Sequence, residues 1–182
     1  MEINTRVNND VSLAEAIELI ATIGADITVM LEGHMGNGKT SATEKELAER
    51  FPDHVMCHFD CTTKDIGDLL IPKILEAGGS NYVTFATNEE LGAHLDKPVI
   101  VNLDEFGKSQ AGVKKALTRL ILERKIGNHA LHPDSIVYAT TNLSEEGVGD
   151  FLEGHQLDRI CKVRIRKSTH VEWIDWGISN NI

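Results

Sequence analysis

The chain has 182 residues, of which 41% are hydrophobic and 25% charged, enough for one domain with a substantial core. Its formal net charge of −10 weighs against a duplex-binding surface, because nonspecific affinity for nucleic acid comes from cationic neutralisation of phosphates. No apolar stretch reaches membrane-spanning length, residues 1–10 lack the apolar core of a secretory signal, and an odd count of 3 cysteines argues against a disulfide framework, so a cytoplasmic location is expected.

Ser12-Leu-Ala-Glu15 is a capping box, and apolar residues at 13, 16, 17 and 20 before Gly24 predict an amphipathic helix. Residues 27–31 predict a short buried strand. It runs into Gly33-His34-Met35-Gly36-Asn37-Gly38-Lys39-Thr40, which matches G-x-x-x-x-G-K-[ST] at every fixed position, and residues 41–50 follow as a helix without a breaker. In that strand–loop–helix setting the glycines let backbone N–H groups curl towards phosphate oxygens, with the helix N-terminus behind them. The loop from Gly33 through Ser41 is expected to bind nucleotide. Lys39 is expected to reach the β- and γ-phosphates, and the Thr40 hydroxyl to take a place on Mg²⁺.

Residues 55–59 predict a second strand. Cys57 falls inside it, so the Cys57-x-x-x-Cys61 spacing reads as buried small residues rather than a metal site. A helix-like segment is expected over 65–75 and a short helix over 88–95. Between them, residues 78–85 carry Tyr82 and Phe85 and fit a hairpin packed on the core at least as well as a substrate-gripping loop.

Residues 99–103 predict a buried strand that runs into Asp104-Glu105, about 65 residues beyond the loop lysine. Carboxylates at the C-terminal edge of such a strand lie where α/β sheets place ligands. Asp104 is expected to hold Mg²⁺, directly or through water, and Glu105 to polarise the water attacking the γ-phosphate. Residues 110–124 predict a helix with apolar positions at 113, 116, 117, 120 and 121, and Gly127-Asn128 a hairpin turn.

A fourth strand, 135–139, opens onto Thr140-Thr141-Asn142. An Asn ending a strand can be a simple turn former. If this strand lies between the loop strand and the Asp-Glu strand, Asn142 lands near the γ-phosphate. Residues 161–165 predict a fifth strand, with Val163 and Ile165 inward. Lys162, Arg164, Arg166 and Lys167 then form a solvated face or subunit contact rather than a nucleic-acid site. Thr169-x-x-Glu172 caps a last segment carrying Trp173 and Trp176. Strands alternating with helices give an α/β class with a mostly parallel sheet.

The ordered set of a P-loop, a strand ending in Asp104-Glu105, a strand ending in Asn142 and a later Gln156-Leu157-Asp158-Arg159 resembles the AAA+ ATPases. Asp65-Ile66-Gly67 after the second strand, the hairpin-like insert before residue 135 and the Gln-Leu-Asp-Arg run narrow the resemblance to the MoxR branch, over nearly the whole chain. It implies a P-loop NTPase three-layer sandwich with a five-stranded sheet in the order 5-1-4-3-2 flanked by helices, and one nucleotide-binding domain over residues 1–182. It further implies ATP and Mg²⁺ as ligands and Asn142 as sensor 1. The expected assembly is a ring, usually hexameric, with Arg159 as an arginine finger in the neighbour's site and Arg119 and Arg124 as lesser interface residues. An intrachain salt bridge is the competing role for Arg159. A protein client is implied, with a von Willebrand A-type partner.

The chain departs from the family in three places. Phe106-Gly107-Lys108 follows Asp-Glu where many relatives carry Asn; Leu143 stands where proline is usual; and the helical lid with its sensor-2 arginine, expected after the fifth strand, is read as missing or truncated after about residue 168. The function expected is Mg-dependent ATP hydrolysis driving the remodelling or chaperoning of a protein partner. The alternatives are a small P-loop kinase, a nucleotide-dependent switch or a nucleic-acid-remodelling ATPase. No arginine-rich lid segment supports a kinase, and with no N-K-x-D motif to read guanine, ATP is the default nucleotide.

Overall fold

Apolar runs too uniform for half-exposed strands become the middle of one parallel sheet in the computed structural model of the chain, which describes residues 10–142 and 159–179. The elements are β1 (Asp10–Val11), α1 (Leu13–Ile23), β2 (Thr28–Gly33), α2 (Ser41–Arg50), β3 (Val55–Asp60), α3 (Ile66–Leu69), β4 (Leu70–Ala77) and β5 (Ser80–Thr87). Then come β6 (Val99–Asp104), α4 (Ala111–Glu123), β7 (Lys125–Ile126), β8 (His129–Ala130), β9 (Ile136–Asn142), β10 (Ile160–Ile165) and α5 (His170–Ser179). Short 3₁₀ turns lie at Glu89–Leu91 and Phe106–Lys108.

The main sheet runs β1-β10-β2-β9-β6-β3, with every neighbour parallel. For the five expected strands this is the order 5-1-4-3-2; the two-residue β1 adds an unpredicted edge beside β10. One face is covered by α1, whose Ala16, Ile17 and Ile20 pack against Val29, Leu31, Ile100 and Tyr138. The other is covered by α4, whose Val113, Leu117, Leu120 and Ile121 pack with Met30, Val101 and Val137. Each such Leu or Ile contributes roughly 1.5–3 kcal/mol by leaving water. Both halves of the Ser12–Glu15 capping box are made, and α1 ends at Gly24. A Cβ on Gly24 would meet the Ile20 carbonyl oxygen at 2.4 Å and Ile136 Cγ2 at 2.7 Å, so only glycine fits that corner.

Two expected helices take other forms. Over 65–75 the helix stops after Leu69, and 70–77 becomes β4. Pro72 has no N–H to continue a helix and pushes the residue before it into extended backbone. Over 88–95 only one 3₁₀ turn forms, capped by the Asn88 side chain and ended by Gly92 at φ +68°. A Cβ at Gly92 would lie 2.8 Å from Cys57 Sγ and 2.9 Å from Val99 Cγ1.

Residues 70–87 form an antiparallel hairpin, β4 paired with β5 around Gly78-Gly79. Both glycines have positive φ, as a two-residue hairpin turn of matching twist requires. Of this hairpin Leu70 packs against the core, but beyond it Ile71, Ile74, Leu75, Tyr82, Val83 and Phe85 are all exposed. The Gly127-Asn128 turn forms as expected, closing the small β7–β8 hairpin, and His129 Nε2 lies 2.9 Å from the Phe85 carbonyl oxygen.

Candidate functional site

β2 delivers Gly33 to the C-terminal edge of the sheet, where it pairs in register with Asn142 of β9. The loop then turns through Gly36 at φ +81° and Gly38 at φ +71°, values that side-chain-bearing residues rarely adopt. At Gly33 an added Cβ would stand 3.3 Å from Ile165 Cβ and 3.4 Å from Lys39 Cδ, so the missing side chain lets the lysine lie across the strand end. His34, Met35, Gly36 and Ser41 are exposed; Asn37, Gly38 and Thr40 are half-buried. Lys39 is buried, and its Nζ donates to the carbonyl oxygens of Gly33 (2.9 Å) and His34 (2.8 Å) and to Asn142 Oδ1 (3.0 Å). Burial pulls its pKa below the ordinary lysine value, against the opposing pull of the Glu105 and Asp104 charges.

β6 and β9 bring the remaining groups to the same edge. Thr40 stands at the N-cap of α2 yet makes no capping bond with its side chain; its hydroxyl donates instead to Asp104 Oδ1 at 2.9 Å. The Thr140 hydroxyl also donates to Asp104 Oδ1, and accepts from the Glu105 backbone N–H at 3.1 Å. Glu105 sits in the left-handed region, φ 51° and ψ 34°, a conformation that costs a residue with a Cβ and recurs at functional sites. Asn142 Nδ2 donates to Glu105 Oε1 at 2.7 Å and to Oε2 at 2.9 Å, and Lys108 Nζ lies 2.8 Å from Glu105 Oε2. The result is one connected line, Lys39–Asn142–Glu105–Lys108, beside a second, Thr40–Asp104–Thr140. Thr40 and Asp104 together offer the hard oxygen donors that Mg²⁺ prefers, and they fit that ion.

Thr140 and Lys108 are members of this site that the motif reading did not single out. The signal for Thr140 was present: side chains two apart on a strand share a face, so Thr140 must lie beside Asn142. Gly107 is fixed by the same packing, since a Cβ there would meet Thr141 Oγ1 at 2.1 Å.

Arg159 is exposed and is not brought to the chain's own loop. It immediately precedes Ile160, which pairs with Thr28 at the start of β2, whereas Gly33 ends that strand. Roughly 17 Å of strand separates the two ends. The carboxyl of Glu123 at the end of α4 is held below its ordinary pKa mainly by Arg119, and the Arg159 charge adds only the smallest share. Gln156, Leu157, Asp158 and Leu143 lie outside the described residues.

Arg124, expected at an interface, serves the fold. Its guanidinium donates to Thr28 Oγ1 and the Ile121 carbonyl, each at 2.6 Å, and to the Gly24 carbonyl at 2.9 Å, and burial lowers its pKa to about 10. Arg119 is held by Glu123 at 2.9 Å and by the Gly127 carbonyl at 3.0 Å. The basic strip is matched by carboxylates: Lys162 with Glu32 (3.1 Å), Arg164 with Asp10 (3.5 Å) and Arg166 with Glu172 (2.6 Å). Cys57 and Cys61 are buried thiols, and among the described residues no group of His, Cys, Asp and Glu is arranged to hold a metal by itself. No described helix is long and apolar enough to cross a membrane.

Beside the loop opens a cleft of about 520 Å³, lined by Leu13, Gly36, Gly38 and Ser41 on one side and by Trp173 and Trp176 of α5 on the other. The two indoles meet edge to face, with ring centres 5.6 Å apart.

No family model matches the sequence, and no curated protein matches it. Solved structures do. One is a protein of Cytophaga hutchinsonii assigned as an ATPase: TM-score 0.60, 20% identity, covering 92% of this chain and 50% of that one. Another is Hsp104 in a closed state with ATPγS and FITC-casein: TM-score 0.65, 17% identity, covering 95% of this chain and 37% of that one. The chain shares the fold of these two proteins, a mostly parallel sheet flanked by helices. It spans half the length of the first of these chains and less of the second.

Proposed function

We propose that the chain is a single nucleotide-binding domain of a cytoplasmic AAA+ ATPase of the MoxR-like branch, which binds ATP with Mg²⁺ and hydrolyses it. The observation that carries this reading is the meeting of Lys39, Asn142 and Glu105 in one hydrogen-bonded line at the mouth of the glycine-rich loop. The loop's N–H groups and Lys39 would cradle the β- and γ-phosphates, with the loop residues 33–41 around them. Thr40 and Asp104 would hold Mg²⁺, whose contribution when bound is to neutralise phosphate charge. Glu105 would orient and polarise the attacking water, with Asn142 holding the same water or sensing loss of the γ-phosphate. The cleft between the loop and α5 has the size and aromatic walls to take the base.

Arg159 lies at the end of β10 remote from its own loop, a position compatible with a residue acting in a neighbour's site and hence with a ring. Hsp104 was captured with casein, and a protein client is the corresponding proposal for this chain, with a von Willebrand A-type partner as a finer one.

The test is steady-state ATPase rate against protein concentration for wild type and Glu105→Gln. Rate per subunit should rise with concentration. Glu105→Gln should lose roughly 10²–10⁴ in turnover while keeping nucleotide affinity. A concentration-independent rate that survives Glu105→Gln would remove the reading.

A further inference from the structure

Thr40 and Glu44 stand four residues apart on α2, one turn and one face. Beneath them the sheet carries a polar row: His58 of β3 pairs with Asn102 of β6, and Asn102 with Tyr138 of β9. Two residues further along the same strands, and therefore on the same face, stand Asp60, Asp104 and Thr140. Asn102 is wholly buried and donates through Nδ2 to Glu44 Oε1 at 2.8 Å. His58 Nδ1 lies 2.7 Å from that same oxygen. A carboxylate only accepts, so His58 Nδ1 carries the hydrogen and Nε2 is the ring's remaining atom for partners.

Nε2 faces Asp104 Oδ2 at 3.9 Å. Oδ1 of the same carboxylate already accepts from Thr40 and Thr140, so Oδ2 is the oxygen turned to the imidazole. With the neutral ring in the tautomer that Glu44 favours, two acceptors face one another across a distance too long for a direct hydrogen bond. One water donating to both, at about 2.8 Å from each, fits that separation.

We propose that His58 is a positioning residue for the divalent cation: together with Asp104 Oδ2 it accepts from a water of the hydrated Mg²⁺, with its ring held by Glu44 and Glu44 held by Asn102. This inference rests on the nucleotide-and-magnesium reading of the site. Outer partners that fix first ligands are worth about 10- to 100-fold in metal affinity in other proteins. Nothing in the P-loop motif announces His58; the register of β3 on β6 and the reach of Glu44 from α2 bring it there.

The experiment is a Mg²⁺ titration of binding of a fluorescent ATP analogue to wild type, His58→Phe, His58→Gln and Glu44→Gln, with a parallel measurement in EDTA and a thermal melt of each. His58→Phe should raise the half-saturating Mg²⁺ concentration about 10-fold, with affinity in EDTA unchanged. His58→Gln, which still offers an acceptor, should recover part of the loss, and Glu44→Gln should show a smaller shift in the same direction. An unchanged Mg²⁺ requirement in His58→Phe overturns the inference and leaves the site reading standing. So does an equal loss of affinity in Mg²⁺ and in EDTA, which would mark a general structural effect. If wild type binds the analogue no better with Mg²⁺ than without, the reading of the site falls and the inference falls with it.

Discussion

At the scale of single residues, the site divides into groups fixed by chemistry and groups fixed by packing. Thr140 belongs to both: its hydroxyl donates to Asp104 and accepts from the Glu105 N–H, tying the two carboxylate-bearing residues to β9. Replacing it with valine keeps shape and removes both bonds. Hydrogen bonds to charged groups contribute about 1.5–3 kcal/mol, so Thr140→Val should lower turnover roughly 10- to 100-fold, with little change in nucleotide affinity measured in EDTA. Wild-type turnover in that variant would show that Asp104 and Glu105 are oriented without β9. Lys39, Thr40, Asp104 and Glu105 were legible in the sequence because their spacing follows from how a backbone wraps phosphate. Lys108 was not, because its contact with Glu105 depends on the 3₁₀ turn over 106–108 and on the left-handed backbone at Glu105. The intrachain role of Arg124 was not legible for a related reason. A surface arginine and one donating to Thr28, Ile121 and Gly24 look alike until the strand of Thr28 is placed beside the end of α4.

At the scale of elements, legibility followed local chemistry. Five of the six strands of the main sheet and α1, α2 and α4 were readable from periodicity and caps, whereas the two-residue β1 was not, and β4 was missed although Pro72 marks it. α5 was marked by Thr169-x-x-Glu172, and the structure makes that cap: the Thr169 N–H donates to Glu172 Oε2 at 2.7 Å. Arg166 adds two bonds to the same carboxylate, at 2.8 and 2.6 Å, and together they hold the Glu172 pKa down to about 2. A carboxyl whose native pKa lies below its unfolded value near 4.5 stabilises the native arrangement fully above that value. The stabilisation fades as pH falls and is gone below about 2. Because both tryptophans of the chain sit on α5, indole fluorescence reports its seating directly. The spectrum should hold steady from neutrality to about pH 5 and shift progressively below it. Glu172→Gln should show part of that shift already at pH 7. Identical neutral spectra for wild type and Glu172→Gln would mean that α5 is seated by other contacts.

At the scale of the whole molecule, the sheet order decides what one chain can do alone. Spacing by itself did not give the order 5-1-4-3-2; it came with the family resemblance, and only in that order does β9 carry Asn142 between Gly33 and Asp104. The same order leaves Arg159 at the end of β10 remote from the loop, so that among the described residues the site's hydrogen-bonded groups include Lys39 and Lys108 and not Arg159. If Arg159 completes a neighbour's site, two defective subunits should repair one another. Lys39→Ala removes the phosphate-binding lysine and keeps the finger, whereas Arg159→Ala keeps the loop and loses the finger. Each should be nearly inactive alone, since such a finger is worth about 10³–10⁵ in rate in other nucleotide hydrolases. Mixed in equal amounts and allowed to exchange, random head-to-tail assembly pairs an intact loop with an intact finger at about a quarter of interfaces. Turnover should then rise to about a quarter of the wild-type rate, if the sites fire independently. A mixture no faster than the mean of its parents, with Arg159→Ala already inactive alone, would place that arginine's role inside its own chain.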